Sequence, residues 1–145
     1  MEEILKAWID NGYSFLQKHT IKFWNLNNID FWEVYEDEEM WKQVEDGYFE
    51  STNHLDRSKS GMKINLGKIK SLSFDWNVDS EEYYDSFNVY INGNWMFGES
   101  GTRAGTYNKE YSGEKDIILA IEYTKDGSVS EGEDVAWIKN IKVYW

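Results

Sequence analysis

The sequence predicts an all-β protein: an antiparallel β-sandwich of the jelly-roll type, with a short helical or extended appendage at its N-terminus. Three observations support this prediction. From about residue 29 onward, apolar side chains recur with a period of two, which is typical of half-buried strands. Gly, Asn and Asp interrupt this pattern at short intervals, as they do in turns between strands. No helical pattern separates the strands, which disfavours a parallel sheet.

The first 28 residues follow a different pattern. Their apolar side chains recur at the spacing of an amphipathic helix: Ile4, Leu5, Trp8, Ile9, Tyr13 and Leu16. We therefore predict two parts, an N-terminal helix or arm at residues 1–28 and a β-sandwich domain at residues 29–145. Because an apolar stripe of this size must be covered, the helix packs either on its own sandwich or on a partner.

The clearest strands lie in the second half of the chain. Residues 71–78 and 87–91 alternate strictly, and Asn92-Gly93 is a dipeptide suited to the hairpin turn before residues 95–97. Further strands are predicted at 116–124 and 139–145, and weaker ones at 31–35, 41–50, 62–66 and 104–111. We expect one core to contain Phe74, Trp76, Phe87, Val89, Leu119, Ile121 and Trp137.

Composition excludes several classes of function. The net charge of −12, from 27 acidic and 15 basic residues, repels phosphate groups, so neither nucleic acid nor an anionic membrane is an expected partner. Without Cys there is no disulfide, thiolate metal site or Cys nucleophile, and two His are too few for a histidine-rich zinc site.

The first residues lack the pattern of a signal peptide. We expect the chain as written in a virion or the cytoplasm, and outside the cell if it is a piece of a larger surface protein.

Two separated segments resemble a known group of domains. The first is residues 72–93, which contain Phe74-Asp75-Trp76-Asn77-Val78; the second is residues 120–130 followed by Asp134-Val135-Ala136-Trp137-Ile138. Together they resemble concanavalin A-like, MAM-like jelly-roll modules of bacterial surface and phage proteins. The resemblance implies two packed antiparallel sheets and a role in adhesion, carbohydrate binding or spacing along a surface protein. Lys139 departs from the pattern, which usually has an acidic residue at this place.

One candidate ligand site surrounds the predicted hairpin. Trp95 follows the turn, and Asn94, Arg103 and Tyr107 are close to it in sequence. A flat aromatic ring beside hydrogen-bonding groups is what stacking against a sugar requires. We therefore predict these four residues as ligand-binding. The alternative is that Trp95 packs across its own hairpin.

No cofactor is predicted, and Ca²⁺ is the one metal ion that the sequence suggests. Residues 126–134 contain several oxygen donors, and an acidic segment at 81–85 supplies more. The candidate ligands are Glu81, Asp85, Asp126 and Asp134. Their spacing does not follow the EF-hand, and the alternative is that these side chains hydrogen-bond in turns or pair with a lysine.

These observations favour a non-catalytic binding or adhesion module whose partner is a surface glycan or a protein, with self-association as a further expectation. The first alternative is a structural component of a phage virion, such as a tail, fibre or capsid decoration protein, which would bind other virion subunits. A second alternative is an acidic inhibitor that mimics nucleic acid. Catalysis is not expected, because a glycosidase needs two carboxylates about 5 to 10 Å apart and the sequence singles out no pair.

Overall fold

A computed structural model describes residues 26–34, 39–53, 57–80, 85–125 and 134–145. Within these residues the chain forms two five-stranded sheets and one turn of 3₁₀ helix, Ile29–Phe31. The predicted β-sandwich is therefore confirmed. The predicted N-terminal segment lies outside the described residues except for 26–28, so its helix and the division of the chain at residue 28 stay predictions. No helix within the described ranges is long and apolar enough to cross a bilayer.

The described strands divide equally between the two sheets. Sheet A has the order β1-β4-β9-β6-β7 and sheet B the order β2-β3-β10-β5-β8. Their bounds are β1 Glu33–Val34, β2 Lys42–Glu45, β3 Tyr48–Glu50, β4 Lys59–Asn65, β5 Ser71–Asp79, β6 Ser86–Ile91, β7 Asn94–Glu99, β8 Thr102–Glu110, β9 Ile118–Thr124 and β10 Val135–Tyr144. From β4 onward every connection passes from one sheet to the other except the β6–β7 hairpin. This alternation between sheets produces the jelly-roll arrangement.

The turns follow the local sequence. Asn92 and Gly93 have φ angles of 51° and 81°, the positive values that a type I′ hairpin turn requires. The segment 41–50, predicted as one strand, is instead the hairpin β2–β3, which turns at Asp46 and Gly47. Gly47 has a φ of 68°, and a Cβ atom there would lie 2.6 Å from the Asn27 side-chain oxygen. A larger residue would therefore disturb this turn.

The core lies between the sheets and is rich in aromatic residues. Its largest fully buried side chains are Trp41, Tyr123, Phe49, Phe74, Phe87, Leu26, Met62, Leu66, Ile69, Leu72 and Ile117. The predicted core positions Phe74, Phe87, Val89, Leu119 and Ile121 are confirmed. Trp76 packs at the margin of this core, with ring centroids 6.0 Å from Phe87 and 5.5 Å from Phe97.

The prediction that Trp137 belongs to the core is wrong. Its neighbours on β10, Ala136 and Ile138, are both in the core. Because successive side chains of a strand point to opposite faces, Trp137 lies on the outer face of sheet B, where it is partly exposed.

A β-bulge on β10 explains the error. Trp137 is an even number of residues from Ile141, which is buried, so a regular strand would place both side chains inside. The pairing of β10 with β5 shifts between Lys139 and Lys142, and Asn140 has a φ of 55°. The extra residue reverses the inward and outward positions along the strand.

Candidate functional site

A shallow groove of about 380 Å³ crosses the outer face of sheet B, within the roughly 300–1,000 Å³ range of small-molecule sites. We call it the Trp137 groove. Its lining comes from four neighbouring strands: Tyr48, Asp75, Trp76, Asn77, Ala104, Gly105, Thr106, Trp137 and Lys139.

Strand pairing arranges the groove in two rows. One row runs across β3, β10, β5 and β8 through Tyr48, Lys139, Asp75 and Thr106. The parallel row beside it is Glu50, Trp137, Asn77 and Ala104. Since neighbouring strands are about 4.8 Å apart, each row extends roughly 14 Å. The outer face of the sheet thus presents an elongated surface rather than a closed cavity.

The Asp75 carboxylate is held in a fixed position in this groove. Its Oδ2 accepts a hydrogen bond from Asn140 Nδ2 at 2.7 Å, and its Oδ1 accepts one from Thr106 Oγ1 at 2.7 Å. These hydrogen bonds, with the positive charges of Lys139 and Lys142 nearby, hold the pKa of Asp75 below its usual value. The carboxylate is therefore ionised at neutral pH.

Aromatic rings lie beside this carboxylate. Trp137 pairs with Asn77 in the row next to Asp75, and no described residue accepts a hydrogen bond from its indole N–H. Lys139 Nζ lies 5.9 Å from the centroid of the Tyr48 ring, a cation–π distance. The groove thus combines a partly exposed indole, amide and hydroxyl groups, an anion and a cation.

The predicted ligand residues do not converge on one surface. Trp95 is 60% exposed on the outer face of sheet A, and its Nε1 donates to Asn88 Oδ1 at 3.1 Å. Asn94 is exposed at the start of β7. Arg103 lies at the edge of sheet B, where its Nε donates to the Ser100 carbonyl at 3.1 Å and is 3.5 Å from Glu99 Oε2.

Tyr107, the fourth of these residues, lies between the sheets. Its ring stacks on Phe97 with centroids 5.5 Å apart, and burial raises the pKa of its hydroxyl. Trp95 and Tyr107 are therefore separated by the edge of the sandwich, and a ligand on one does not contact the other. The assignment of these four residues to ligand binding stays a prediction.

Two of the predicted calcium ligands, Glu81 and Asp126, lie outside the described residues. Asp134 pairs with the buried Lys125 ammonium and accepts a hydrogen bond from the Tyr123 hydroxyl at 2.7 Å. Asp85 is buried close to that hydroxyl, whose pKa is raised first by burial and then by the Asp85 charge. In the described ranges no group of three His, Asp or Glu side chains is arranged to hold a metal ion, and calcium binding stays a prediction.

Sequence reasoning missed the Trp137 groove, although one signal was present. In Trp137-Ile138-Lys139-Asn140-Ile141 two polar residues stand together between apolar ones, which breaks the alternation. Such a doublet inside a strand is typical of a bulge. Given a bulge, the alternation would have placed Trp137 on the same face as the polar side chains of β5.

No protein-family model matches the sequence, and no curated protein does. Among solved structures, the chain is similar to the secreted serine protease VesC from Vibrio cholerae, with a TM-score of 0.67 and 11% identity over 86% of this chain. The chain spans only 27% of the length of the VesC chain. At this identity the similarity shows a shared fold.

Two other similarities are weaker. The enzymatically active domain of tailspike protein 4 of bacteriophage CBA120 has a TM-score of 0.47 and 10% identity, covering 87% of this chain and 21% of that one. CBM35 from Paenibacillus barcinonensis has a TM-score of 0.42 and 12% identity, covering 81% of this chain and 94% of that one. Neither adds to what the VesC similarity shows.

Proposed function

We propose that this chain is a non-catalytic saccharide-binding module whose binding site is the Trp137 groove. The observation that carries the proposal is the partly exposed Trp137 indole beside the fixed Asp75 carboxylate on an open sheet face. Sugars present an apolar face and a rim of hydroxyl groups. A partly exposed indole packs on the apolar face, and ordered hydrogen-bonding groups next to it bind the rim.

The fixed geometry of the groove supports binding. Asp75 is held by Asn140 and Thr106 before any ligand arrives, so little side-chain entropy is lost when the carboxylate accepts a sugar hydroxyl. Asn77 and Thr106 add neutral groups in the same two rows. The length of the rows favours a chain of sugar units over a single small molecule.

Electrostatics disfavour catalysis at this place. A glycosidase needs one carboxylic acid that keeps its proton near neutral pH, usually because its pKa is raised. The pKa of Asp75 is lowered instead, chiefly by its hydrogen bonds to Asn140 and Thr106. Glu50, the other carboxylate in the two rows, forms an ion pair with Lys42 at 3.3 Å. These charges suit a binding surface.

The test is calorimetric titration with oligosaccharides chosen from a glycan array. We expect Trp137→Ala to weaken binding by more than about tenfold, because central hot-spot residues, which are enriched in tryptophan, cost about 2 kcal/mol or more on truncation. Trp95→Ala is the matched control, since it removes the same side chain from the opposite face, and it should change affinity less than about twofold. Equal losses in both variants, or binding to no saccharide, would overturn the proposal.

The virion role remains an alternative that depends on residues 1–28. A truncation that tests it should begin at Leu26, because Leu26 is fully buried and its carbonyl accepts a hydrogen bond from Trp32 Nε1 at 3.1 Å. If the truncated protein keeps its melting temperature but loses self-association or particle incorporation, the assembly role gains support. If it keeps both, the segment is not an assembly arm.

A further inference from the structure

Resting on the proposed function, we infer that the Trp137 groove selects an acidic saccharide, one whose carboxylate or sulfate group binds the Lys139 and Lys142 ammonium groups. The observation behind this inference is that two exposed lysines, Lys139 and Lys142, flank Asp75 on the outer face of sheet B. The same face also carries acidic residues, among them Glu50, which is paired with Lys42.

The bulge on β10 creates this pair of lysines. Residues 139 and 142 are an odd number of positions apart and would point to opposite faces of a regular strand. Because the register shifts between them, Lys139 pairs with Asp75 and Lys142 with Ser73, and both side chains are exposed. The same irregularity brings Asn140 to Asp75. One extra residue therefore places three polar side chains around one carboxylate.

The Asp75 carboxylate does not occupy the two lysine ammonium groups. Both Asp75 oxygens accept hydrogen bonds from neutral donors, Asn140 and Thr106. Within the described residues, neither Lys139 nor Lys142 has a carboxylate oxygen within ion-pair distance. With respect to the described residues, both ammonium groups are therefore available to an anionic ligand.

Lys139 is placed to contact a sugar on Trp137. Its ammonium lies over the Tyr48 ring, in the row next to that of Trp137. A sugar that packs on the Trp137 indole therefore has Lys139 at its side. An acidic group at that side of the sugar makes a charge-assisted hydrogen bond, which is roughly twice as strong as a neutral one. A neutral sugar has no charged group that could form so strong a hydrogen bond with Lys139.

Matched oligosaccharides test this inference. The first pair is hexagalacturonate and its methyl ester, and the second is a sulfated carrageenan oligosaccharide and its desulfated form. We expect calorimetry to show that at least one acidic member binds about tenfold tighter than its neutral counterpart, as a hydrogen bond to a charged group would give. The two pairs distinguish a preference for carboxylate from one for sulfate.

Variants then assign the preference to the lysines. Lys139→Gln and Lys142→Gln should each lower affinity for the acidic member about three- to tenfold and leave the neutral member within twofold. Lys115→Gln is the control, because it removes the same charge from the exposed loop between β8 and β9.

The outcomes separate this inference from the proposed function. If the acidic and neutral members bind with equal affinity and Trp137→Ala abolishes this binding, the acidic preference is overturned. The proposal of saccharide binding then stands. An acidic preference that survives both lysine substitutions overturns the assignment to Lys139 and Lys142. Binding to no saccharide overturns both proposals together.

Discussion

The two outer faces of the sandwich each present a tryptophan, but their surroundings differ. On sheet A, the Trp95 N–H is bonded to Asn88, and the neighbouring Tyr90 hydroxyl donates to Glu122 Oε1 at 3.0 Å. On sheet B, the Trp137 N–H has no acceptor among the described residues. The polar groups of the first face are paired with each other, whereas the second keeps donors that a ligand can use. The more exposed tryptophan is therefore not the better binding candidate.

Both tryptophans point outward because of a bulge. On β7, Trp95 and Phe97 are two residues apart, yet Phe97 packs inside and Trp95 lies outside, since the pairing with β6 shifts between Val89 and Tyr90. The bulge on β10 does the same for Trp137. Bulges are frequent next to functional sites, where they redirect a side chain. Here each turns one large aromatic residue away from the core.

The largest expected effect contrasts the two sides of sheet B. Trp76→Ala should lower the free energy of unfolding by about 3 to 5 kcal/mol, because its ring packs on Phe87 and Phe97 at the core margin. Trp137→Ala should lower it by less than about 1.5 kcal/mol, because this ring lies outside the core. Urea denaturation measures both. Similar losses would show that Trp137 contributes to folding as a core residue does.

A second prediction uses one glycine from each sheet. A Cβ atom on Gly105 would lie 2.9 Å from Trp76 Cζ2, so Gly105→Ala should destabilise the fold by about 1 to 3 kcal/mol. A Cβ atom on Gly98 would lie 2.4 Å from Asn88 Oδ1 and 3.3 Å from Trp95 Nε1. These groups lie on the outer face and can move, so Gly98→Ala should cost under about 1 kcal/mol. Thermal unfolding measures the stability of both variants. A larger loss in Gly98→Ala than in Gly105→Ala would contradict the distinction between the packed Trp76 contact and the movable contact on the outer face.

A third prediction concerns the groups that hold Asp75. Asn140→Gly keeps the positive φ angle without strain but removes the amide donor, so saccharide affinity should fall about three- to tenfold. Asn92→Gly is the matched control, because Asn92 also has a positive φ but lies in the β6–β7 turn of sheet A. Calorimetric titration measures both. If only Asn92→Gly loses affinity, the saccharide-binding site lies on sheet A and not in the Trp137 groove.

The smallest expected effect is electrostatic. The pKa of Asp75 should lie below 3.8 in the folded protein and rise in Asn140→Gly, because its largest stabilising hydrogen bond is removed. Since the folded pKa is the lower one, the contribution of Asp75 to stability is present above about pH 4 and is lost as pH falls through the folded pKa. Carbon-13 NMR titration of the carboxyl group measures this pKa. A midpoint at or above 3.8 would mean that Asp75 is not held as described.

Most of the fold was predictable because local patterns decide it. The alternation in residues 71–78 marks β5, and Asn92-Gly93 marks the only hairpin among the strands that follow β3, within the described residues. The segment 41–50 was predicted as one strand, although Asp46-Gly47 is a two-residue hairpin signal of the same kind as Asn92-Gly93. Features that depend on residues close together in the sequence, namely the strands and their turns, were therefore largely predictable.

The candidate site was less predictable because it joins four strands that are distant in sequence. Proximity along the chain suggested that Trp95 and Tyr107 act together, but the β7–β8 connection passes from sheet A to sheet B. Conversely, strand pairing brings into adjacent rows four residues that are far apart in the sequence: Tyr48, Asp75, Thr106 and Trp137. The sequence by itself determined the strands, most of the core and the charge, since these follow from side-chain period and composition. Only the tertiary structure decided which face Trp137 joins, because one extra residue in a bulge reverses every inward and outward position beyond it.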